Sequence, residues 1–376
     1  MSVDSSLIDA LALNFIRGVG TITQRNLVNH FGSPKAVIEA SAGKLQELSG
    51  VGKKISAQIS AGKTLAYDLA EKEIEFARKH QIKILPFSDS QYPRRLKQCA
   101  DAPMLIYYRG NADLNSTRIV SIVGTRKASQ YGKDQCAALV EALSDYDVLV
   151  VSGMAYGIDS CAHKESVKNG IPTVGVLGHG LDQIYPPANR NLAVQMLENG
   201  GLISEYPSKT KTNPSNFPQR NRIIAGLADV TIVVEAAIRG GALITAEIAN
   251  TYNRDVCAFP GNVDLEYSAG CNLLIKSHRA HLITHAKDIG YVMDWQASDL
   301  KPQAIQMEMD ITLSNNEKDI YSIILEKEQI SIDEIAHLSG ILQSKLAIIL
   351  LELEMKGLIV TMPGKIYRVL KKRSIL

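Results

Sequence analysis

Short apolar runs alternate with amphipathic helical patterns from residue 118 to about residue 289. The runs have the composition of buried strands, and they are Ile119–Val123, Asp147–Val151, Pro172–Leu177, Leu202–Ser204, Val230–Val234, Val256–Phe259 and His281–Thr284. Near-continuous apolar strands joined by helices are typical of a parallel sheet that is covered on both faces. Because such crossovers are right-handed, the alternation predicts a Rossmann-like, doubly wound α/β fold.

The first 64 residues or so have only helical patterns. A motif of an apolar residue, a variable residue, glycine, an apolar residue and glycine occurs twice, at Ile16–Gly20 and at Leu48–Gly52. Such turns resemble helix-hairpin-helix elements, whose glycines let a phosphate approach the backbone. We predict a helix-hairpin-helix or SAM-like helical domain over residues 1–70. Hairpins that only pack the helices together explain the motif equally well.

Two further apolar runs, Ile82–Pro86 and Met104–Tyr108, precede the alternating region and look like strands. We therefore predict an extended Rossmann-like domain over residues 80–290, followed by a polar linker over residues 291–313. Within the alternation, the helix after the long polar loop is predicted to begin at Asn221 and to end at Leu227.

The last part of the chain has three helical patterns and then a hairpin of two short apolar runs around Pro363 and Gly364. This order predicts a winged-helix domain over residues 314–376. The third helix carries two lysines and two glutamates, so basic and acidic residues balance; they are Lys345, Glu352, Glu354 and Lys356. Protein contact or a purely structural role is therefore at least as well supported as binding of duplex DNA.

Composition limits the possible partners. The net charge is +2, from 41 basic and 39 acidic residues, so any nucleic-acid site must be a local one. No apolar run approaches the roughly 18 residues of a membrane span, and the first residues lack the pattern of a signal peptide. The five cysteines form no C-x-x-C pair, which favours reduced, mostly buried thiols. We expect a cytoplasmic protein without a membrane partner.

Glycine-rich turns follow several predicted strands. The backbone N–H groups of such turns, with the positive ends of the helices that follow, attract anions. Because parallel strands end at one edge of a sheet, a ligand with several phosphates is predicted there. The turn residues concerned are Gly124, Ser152, Gly153, Gly157, Gly178, Gly240 and Gly241.

Arginine stands where dinucleotide-binding folds have glycine. Arg126 follows the first strand, and Arg220 and Arg222 lie at the predicted start of a helix. Guanidinium groups donate two hydrogen bonds at once to phosphate oxygens, which predicts a phosphate-binding role. In the alternative interpretation, Arg220 and Arg222 pair with carboxylates such as Glu205 or Glu235 and only fix the loop.

Other side chains of the same region suit a nucleic acid. Asn221 suits a base edge or a sugar, and Phe217 suits stacking on a base. The loop before them carries Lys209 and Lys211 among hydroxyl side chains that we expect to be mobile. Together these residues predict an interface for a single strand.

Catalysis, cofactors and metals find no support in the sequence. No G-x-G-x-x-G follows the first strand and no Walker motif is present, which argues against NAD and against P-loop ATP hydrolysis. Asp159 and His163 share a helical spacing that fits a helix cap and an orienting histidine better than a catalytic dyad. His278, His281 and His285 have no accompanying acidic cluster, so no metal site is predicted.

The combination of motifs resembles the DNA-processing protein A family (DprA/Smf) over residues 118–290 or so. The segments that carry the resemblance are Ile122–Gly132, Ser152–His163, Leu177–Pro186, Phe217–Leu227, Val234–Ala236, Leu243–Ala246, and Pro260–Ile275. The sequence departs from the family at Gly240, where serine is frequent, and at Ser277–Ala280, where glycine and alanine are usual. The first departure removes a possible hydroxyl contact to phosphate.

The resemblance implies binding of single-stranded DNA at the carboxyl edge of the sheet, and it adds Ser129 and Thr245 to the phosphate-binding residues. It also implies a homodimer through the Rossmann-like domain and delivery of DNA to the RecA recombinase, in natural transformation or repair. Protection of the incoming or exposed strand belongs to the same expectation. No catalysis is implied.

An enzymatic alternative rests on the loop Gly240-Gly241-x-x-x-Thr245-x-Glu247. It resembles the corresponding loop of nucleoside-monophosphate phosphoribohydrolases, in which a glutamate would activate water at the ribosyl bond. The glycine pair and Glu247 agree in spacing. The expected proline, the third glycine and the position of the threonine do not.

Overall fold

The structure is a computed structural model that describes residues 5–296, 313–327, 329–362 and 365–369. The chain folds as two units, residues 1–300 and 301–376. Part of the predicted linker, residues 297–312, lies outside the described residues.

The N-terminal region is helical, as predicted, and its helices are α1 (Ser5–Phe15), α2 (Thr21–Phe31), α3 (Pro34–Glu39), α4 (Ala42–Gln46) and α5 (Lys53–Lys79). Each repeated motif forms a turn between helices. Gly18 and Gly50 have φ values of 77° and 87°, and the second glycine of each motif is the N-cap of α2 or α5. The core of these helices includes Tyr107 of the sheet, so the helices pack against a sheet edge. Contact of the turns with DNA stays a prediction.

The strands are β1 (Lys83–Pro86), β2 (Leu105–Gly110), β3 (Ile119–Val123), β4 (Leu149–Ser152), β5 (Thr173–Leu177), β6 (Gly200–Ser204), β7 (Val230–Val233), β8 (Asp255–Ala258) and β9 (His281–Leu282). They form one sheet in the order β1-β2-β6-β5-β4-β3-β7-β8-β9. Neighbouring strands from β6 to β9 are parallel, whereas β1 and β2 add an antiparallel edge. The Rossmann-like prediction is confirmed, with a mixed rather than wholly parallel sheet.

The helices of this unit are α6 (Arg94–Lys97), α7 (Gln130–Leu143), α8 (Ile158–Lys168), α9 (Arg190–Met196), α10 (Asn216–Leu227), α11 (Gly241–Thr251), α12 (Glu266–Lys276) and α13 (Ala286–Met293). One core contains Ile223, Ala246 and Leu274 of α10, α11 and α12. A second contains Leu139 and Ile289 of α7 and α13. The sheet is therefore covered on both faces. The strand order reverses between β3 and β7, where folds of this type bind ligands.

Three helices differ from the predictions. Helix α10 begins at Asn216, earlier than predicted. Pro218 is compatible with this start because it lies in the first turn, where backbone N–H groups have no intrahelical acceptor, so the N–H that proline lacks is not needed there. Helix α12 was not predicted. Its Gly270 is unfavourable in an isolated helix, but here its N–H donates to the Ala236 carbonyl (2.8 Å), so tertiary contact outweighs propensity. Helix α13 was also missed, and it ends inside the predicted linker, at Met293.

The second unit contains α14 (Asn315–Lys327), β10 (Ile330–Ser331), α15 (Ile332–Ser339), α16 (Gln343–Met355), β11 (Ile359–Met362) and β12 (Ile366–Val369). The three strands are ordered β10-β12-β11, which confirms the winged-helix prediction and adds the short β10. The predicted turn residues Pro363 and Gly364 lie outside the described residues. No single described helix is long and apolar enough to cross a membrane, and the bent pair of α15 and α16 meets that test only when taken together.

Candidate nucleic-acid interface

The loops after β3, β4 and β7 meet at the carboxyl edge of the sheet. Thr125, after β3, donates its backbone N–H to the carbonyl of Glu235, after β7 (2.7 Å), and its own carbonyl accepts from Ile158 N–H in α8 (3.2 Å). Gly157 has φ 79°, and a Cβ there would lie 2.1 Å from the Thr125 carbonyl oxygen. Only glycine lets α8 begin this close to the first loop. The predicted turn residues Gly124 and Gly157 therefore share one crevice.

Two of the predicted hydroxyl residues are engaged within the protein. The backbone N–H of Ser129 donates to the buried carboxylate of Glu235 (2.9 Å), and the Ser129 hydroxyl accepts from Gly132 N–H (3.1 Å). The hydroxyl of Ser152 donates to the Ile122 carbonyl (2.6 Å). These groups hold the loops in place, and the start of α7 already has an anion beside it.

Arg220 forms the floor of the crevice. Its side chain donates to the carbonyls of Gly153, after β4, and Val176, in β5, and the residue is only 3% exposed. A Cβ on Gly153 would lie 2.8 Å from the guanidinium and 2.6 Å from the Asp159 carboxylate, so glycine leaves the space that both need. Burial lowers the pKa of Arg220 to about 10, and Asp159 opposes this shift. Burial raises the pKa of Asp159, while Arg220 lowers it. Arg220 thus ties two strand ends together.

Arg222 pairs with Glu205, after β6, and both side chains are mostly buried. Burial raises the pKa of the Glu205 carboxyl, and the neighbouring Arg222 opposes that shift. This pairing matches the alternative interpretation, in which the arginine fixes the loop. The two arginines that flank Asn221 are therefore already committed to protein groups.

Three exposed cations among the predicted residues lie beside one aromatic ring or on the adjoining loop. Arg126, Lys209 and Lys211 are exposed, and none of the three has an ion pair among the residues that the structure describes. The Arg126 guanidinium lies 5.7 Å from the centroid of the Phe217 ring, and that of Arg220 lies 6.0 Å from it. An exposed cation beside a half-buried ring can contact a phosphate while the ring stacks on a base.

Tyr185 completes this surface, although the sequence patterns alone do not assign it a role. Its ring centroid lies 5.8 Å from that of Phe217, and the residue is 47% exposed. The Phe217 ring lies against Gly178, where a Cβ would come within 3.2 Å of it. The signal that could have identified Tyr185 is an aromatic residue soon after a glycine-rich strand end.

The lysine-bearing loop is held by the N-terminal helices. Ser208 donates its backbone N–H (2.8 Å) and its hydroxyl (2.6 Å) to Glu73 of α5. The Thr210 hydroxyl donates to Pro207 (2.7 Å), and its carbonyl accepts from Gln183 (2.8 Å). The expectation of mobile hydroxyls was wrong for these two residues, because each has an internal partner.

The glycine pair after β7 opens α11. Gly240 is the N-cap without a side-chain cap, and the space beside Gly241 is open. The Gly241 carbonyl accepts from the Asn221 amide (3.4 Å) and from the Thr245 hydroxyl (3.3 Å). Thr245 is buried, whereas Asn221 is partly exposed. This turn stands next to α10 at the same sheet edge.

His163 has a structural environment. Its Nδ1 lies 2.7 Å from the Thr173 hydroxyl, and burial lowers its pKa to about 3, so the ring is neutral at pH 7. This agrees with an orienting histidine. Within the described ranges, no group of three or more His, Cys, Asp or Glu side chains is arranged to hold a metal ion.

The chain is similar in sequence to known proteins. Residues 83–294 match the family described as DNA recombination-mediator protein A, and residues 311–365 match the DprA winged helix domain. The putative DNA processing protein DprA of Mycobacterium tuberculosis is 33% identical over 321 residues, 81% of each chain. The DNA processing protein DprA of Streptococcus pneumoniae is 40% identical over 215 residues, 57% of this chain and 74% of that one.

Solved structures agree with the sequence matches. The X-ray structure of DprA from Streptococcus pneumoniae has a TM-score of 0.66 and 30% identity, and the match covers 79% of this chain and all of that one. A structure of DNA processing protein A from Helicobacter pylori, which concerns its single-stranded DNA binding mode, has a TM-score of 0.52 and 26% identity over 57% of this chain and 98% of that one. The chain belongs to the DNA recombination-mediator protein A family.

Proposed function

We propose that this protein binds single-stranded DNA across the carboxyl edge of its nine-stranded sheet. The observation that carries the proposal is the exposed Arg126 beside the Phe217 ring, with the Tyr185 ring 5.8 Å from the same ring. Phosphates contact Arg126 and the two loop lysines, and bases stack on the aromatic rings. Flat rings accept any base, so little sequence preference is expected.

The predicted residues divide into two roles on this proposal. Arg126, Lys209, Lys211 and Phe217 contact DNA. Arg220 and the glycines of the strand ends shape the floor, because their groups bind protein atoms. Gly241, which is exposed at the start of α11, adds a backbone donor. Binding of single-stranded DNA by the Helicobacter pylori relative supports this reading of the edge.

Protection of single-stranded DNA and its delivery to the RecA recombinase, as a homodimer through the Rossmann-like domain, are part of the same proposal. They follow from membership of the family rather than from a particular contact. We also propose a cytoplasmic location, no catalytic role, and the predicted domain limits at residues 1–70, 80–290 and 314–376.

The phosphoribohydrolase alternative gains no support from the structure. Glu247, which would activate water, pairs instead with Arg279, and both side chains are partly exposed. The carboxylate therefore has a partner outside the crevice.

The test is a titration of fluorescent single-stranded and blunt duplex oligonucleotides at several salt concentrations. We expect tighter binding of the single strand and a steep loss of affinity with salt, because phosphate contacts release counterions. Lys168→Ala is the matched control, since this lysine is 72% exposed at the far end of α8. Equal affinity for duplex and single strand, or equal losses in Arg126→Ala and Lys168→Ala, would contradict the proposal.

A further inference from the structure

A cavity of about 440 Å³ lies beside α9, apart from the cation-and-ring surface described above. It is bounded by β2, β6, α9 and the loop after β5. Its volume falls within the roughly 300–1,000 Å³ that is usual for ligand pockets. None of the residues assigned to DNA lines it.

One wall of this cavity is apolar. Ala193 and Val194 of α9 and Leu197, which follows the helix, line it; Leu197 is four and three residues after the other two, so it neighbours both on the helix surface. Leu202 of β6 adds to this wall, and Val194 is 59% exposed. Ala193 and Leu202 are 2% and 5% exposed and belong to the core beneath α9, so Val194 is the exposed apolar side chain of this wall.

The rim of the cavity is cationic. Arg109 from β2 and Arg190 from the start of α9 line it, with Asp182 as the one acidic lining residue. Neither guanidinium has a hydrogen bond or ion pair within the described part of the chain. Arg95 and Arg118 of the same unit, in contrast, bind protein carbonyls. Two arginines without partners at one cavity leave a net positive charge for a ligand.

We propose that this cavity binds a short acidic segment of a partner protein that carries a bulky apolar side chain. The arginines pair with the carboxylates, and the apolar side chain packs on α9. None of the described lining residues is aromatic, whereas the proposed DNA surface has two rings. Stacking of bases, which adds to phosphate contacts in the binding of single strands, is therefore missing here, and this favours a peptide over a nucleic acid.

The test uses the full-length protein and a labelled peptide of four acidic residues followed by leucine and phenylalanine with a free carboxyl end. Binding is followed by fluorescence anisotropy. We expect Arg109→Ala and Arg190→Ala each to weaken binding about five- to tenfold, with the larger effect at low salt. Val194→Glu places a carboxylate on the apolar wall and should reduce binding at least tenfold. Lys168→Ala should leave it unchanged.

Peptide variants separate the two contributions. Replacement of the leucine and phenylalanine by alanine, or of the acidic residues by serine, should each weaken binding. Because Arg190 and Val194 are exposed, their variants are expected to melt like the unaltered protein, which keeps the test independent of folding. No detectable binding to the unaltered protein, equal binding to all variants, or displacement of the peptide by a mononucleotide through the same arginines would overturn the proposal.

Discussion

Rossmann-like and winged-helix folds both bind DNA in other proteins. In this protein, however, the carboxyl edge of the sheet and helix α16 of the winged helix expose side chains of different chemical character. The edge exposes Arg126 beside a ring. Helix α16 exposes Ile348, Leu351 and Met355, which are 59%, 56% and 81% exposed. Lys356, which follows α16, pairs with the buried carboxylate of Glu317. The comparison teaches that the exposed side chains of an element, more than its fold, predict what it binds.

The largest expected effect distinguishes Arg220, which is buried on the floor of the crevice, from Arg126, which is exposed. Arg220→Ala leaves two buried carbonyls without their donor and Asp159 without its nearby cation, so we expect a loss of about 3 kcal/mol in the free energy of unfolding. Arg126→Ala should change it by less than about 0.5 kcal/mol, since the side chain is exposed. Urea denaturation of both variants measures this. A stable Arg220→Ala variant would show that its hydrogen bonds are dispensable.

Substitution of Arg126 or Phe217, which are proposed to contact DNA, should weaken DNA binding rather than folding. Arg126→Ala and Phe217→Ala should each weaken single-strand binding by about 1–3 kcal/mol, because one removes a phosphate contact and the other a stacking surface. The salt dependence should decrease only for Arg126→Ala. Anisotropy titrations at several salt concentrations measure both quantities, with Lys168→Ala as control. A reduced salt dependence in Phe217→Ala as well would show that the ring positions the cation instead of contacting a base.

Acid should destabilise the domain that contains the sheet, because protonation of its buried His163 is unfavourable in the folded state. In the winged helix, by contrast, His337 is exposed. The pKa of His163 is lowered from 6.5 to about 3 in the folded state. The unfolded chain therefore binds more protons between these values. The contribution to stability is fully present above pH 6.5 and declines as the pH falls toward 3, by up to about 1.4 kcal/mol per unit.

Urea denaturation at about pH 7.5 and about pH 5.5 measures this decline. His163→Gln keeps a polar group near Thr173 but does not titrate, so its stability should depend less on pH. For each protein, we compare the change in the free energy of unfolding between the two pH values, because a loss of stability that does not depend on pH then cancels. An unchanged pH dependence would assign the proton uptake to another group.

The smallest effect is expected for removal of the winged helix. A chain that ends at residue 312 should bind single-stranded DNA within about threefold of the full-length protein, because α16 exposes an apolar face. The measurement is the same anisotropy titration, after circular dichroism has shown that the shortened protein is folded. A loss of more than about tenfold, or 1.4 kcal/mol, would place an important DNA contact in the winged helix.

Much of the fold could be predicted because its strands are buried on both faces, so that each reads as a continuous apolar run. The roles of the arginines could not. Arg126 and Arg220 are the same residue type near strand ends, and only the packed structure shows that one is exposed and the other is 3% exposed. The bonds of Ser208 to Glu73 span 135 positions in the chain. Such partners depend on how distant elements pack, which local patterns do not record.

The carboxylate of Glu235 accepts the Ser129 N–H at the start of α7, and this affects whether the site favours a long nucleic acid strand over a mononucleotide. In nucleotide-binding members of this fold, the corresponding helix end receives a pyrophosphate. Here that place holds a negative charge of the protein itself, so a free mononucleotide meets repulsion at the strongest donor position and keeps only a few weak contacts. A polymer can make many such contacts at once. After its first contact has formed, the remaining contacts form at a high effective concentration. On the proposed function, the internal anion would keep the abundant mononucleotides of a cell from competing with a long strand.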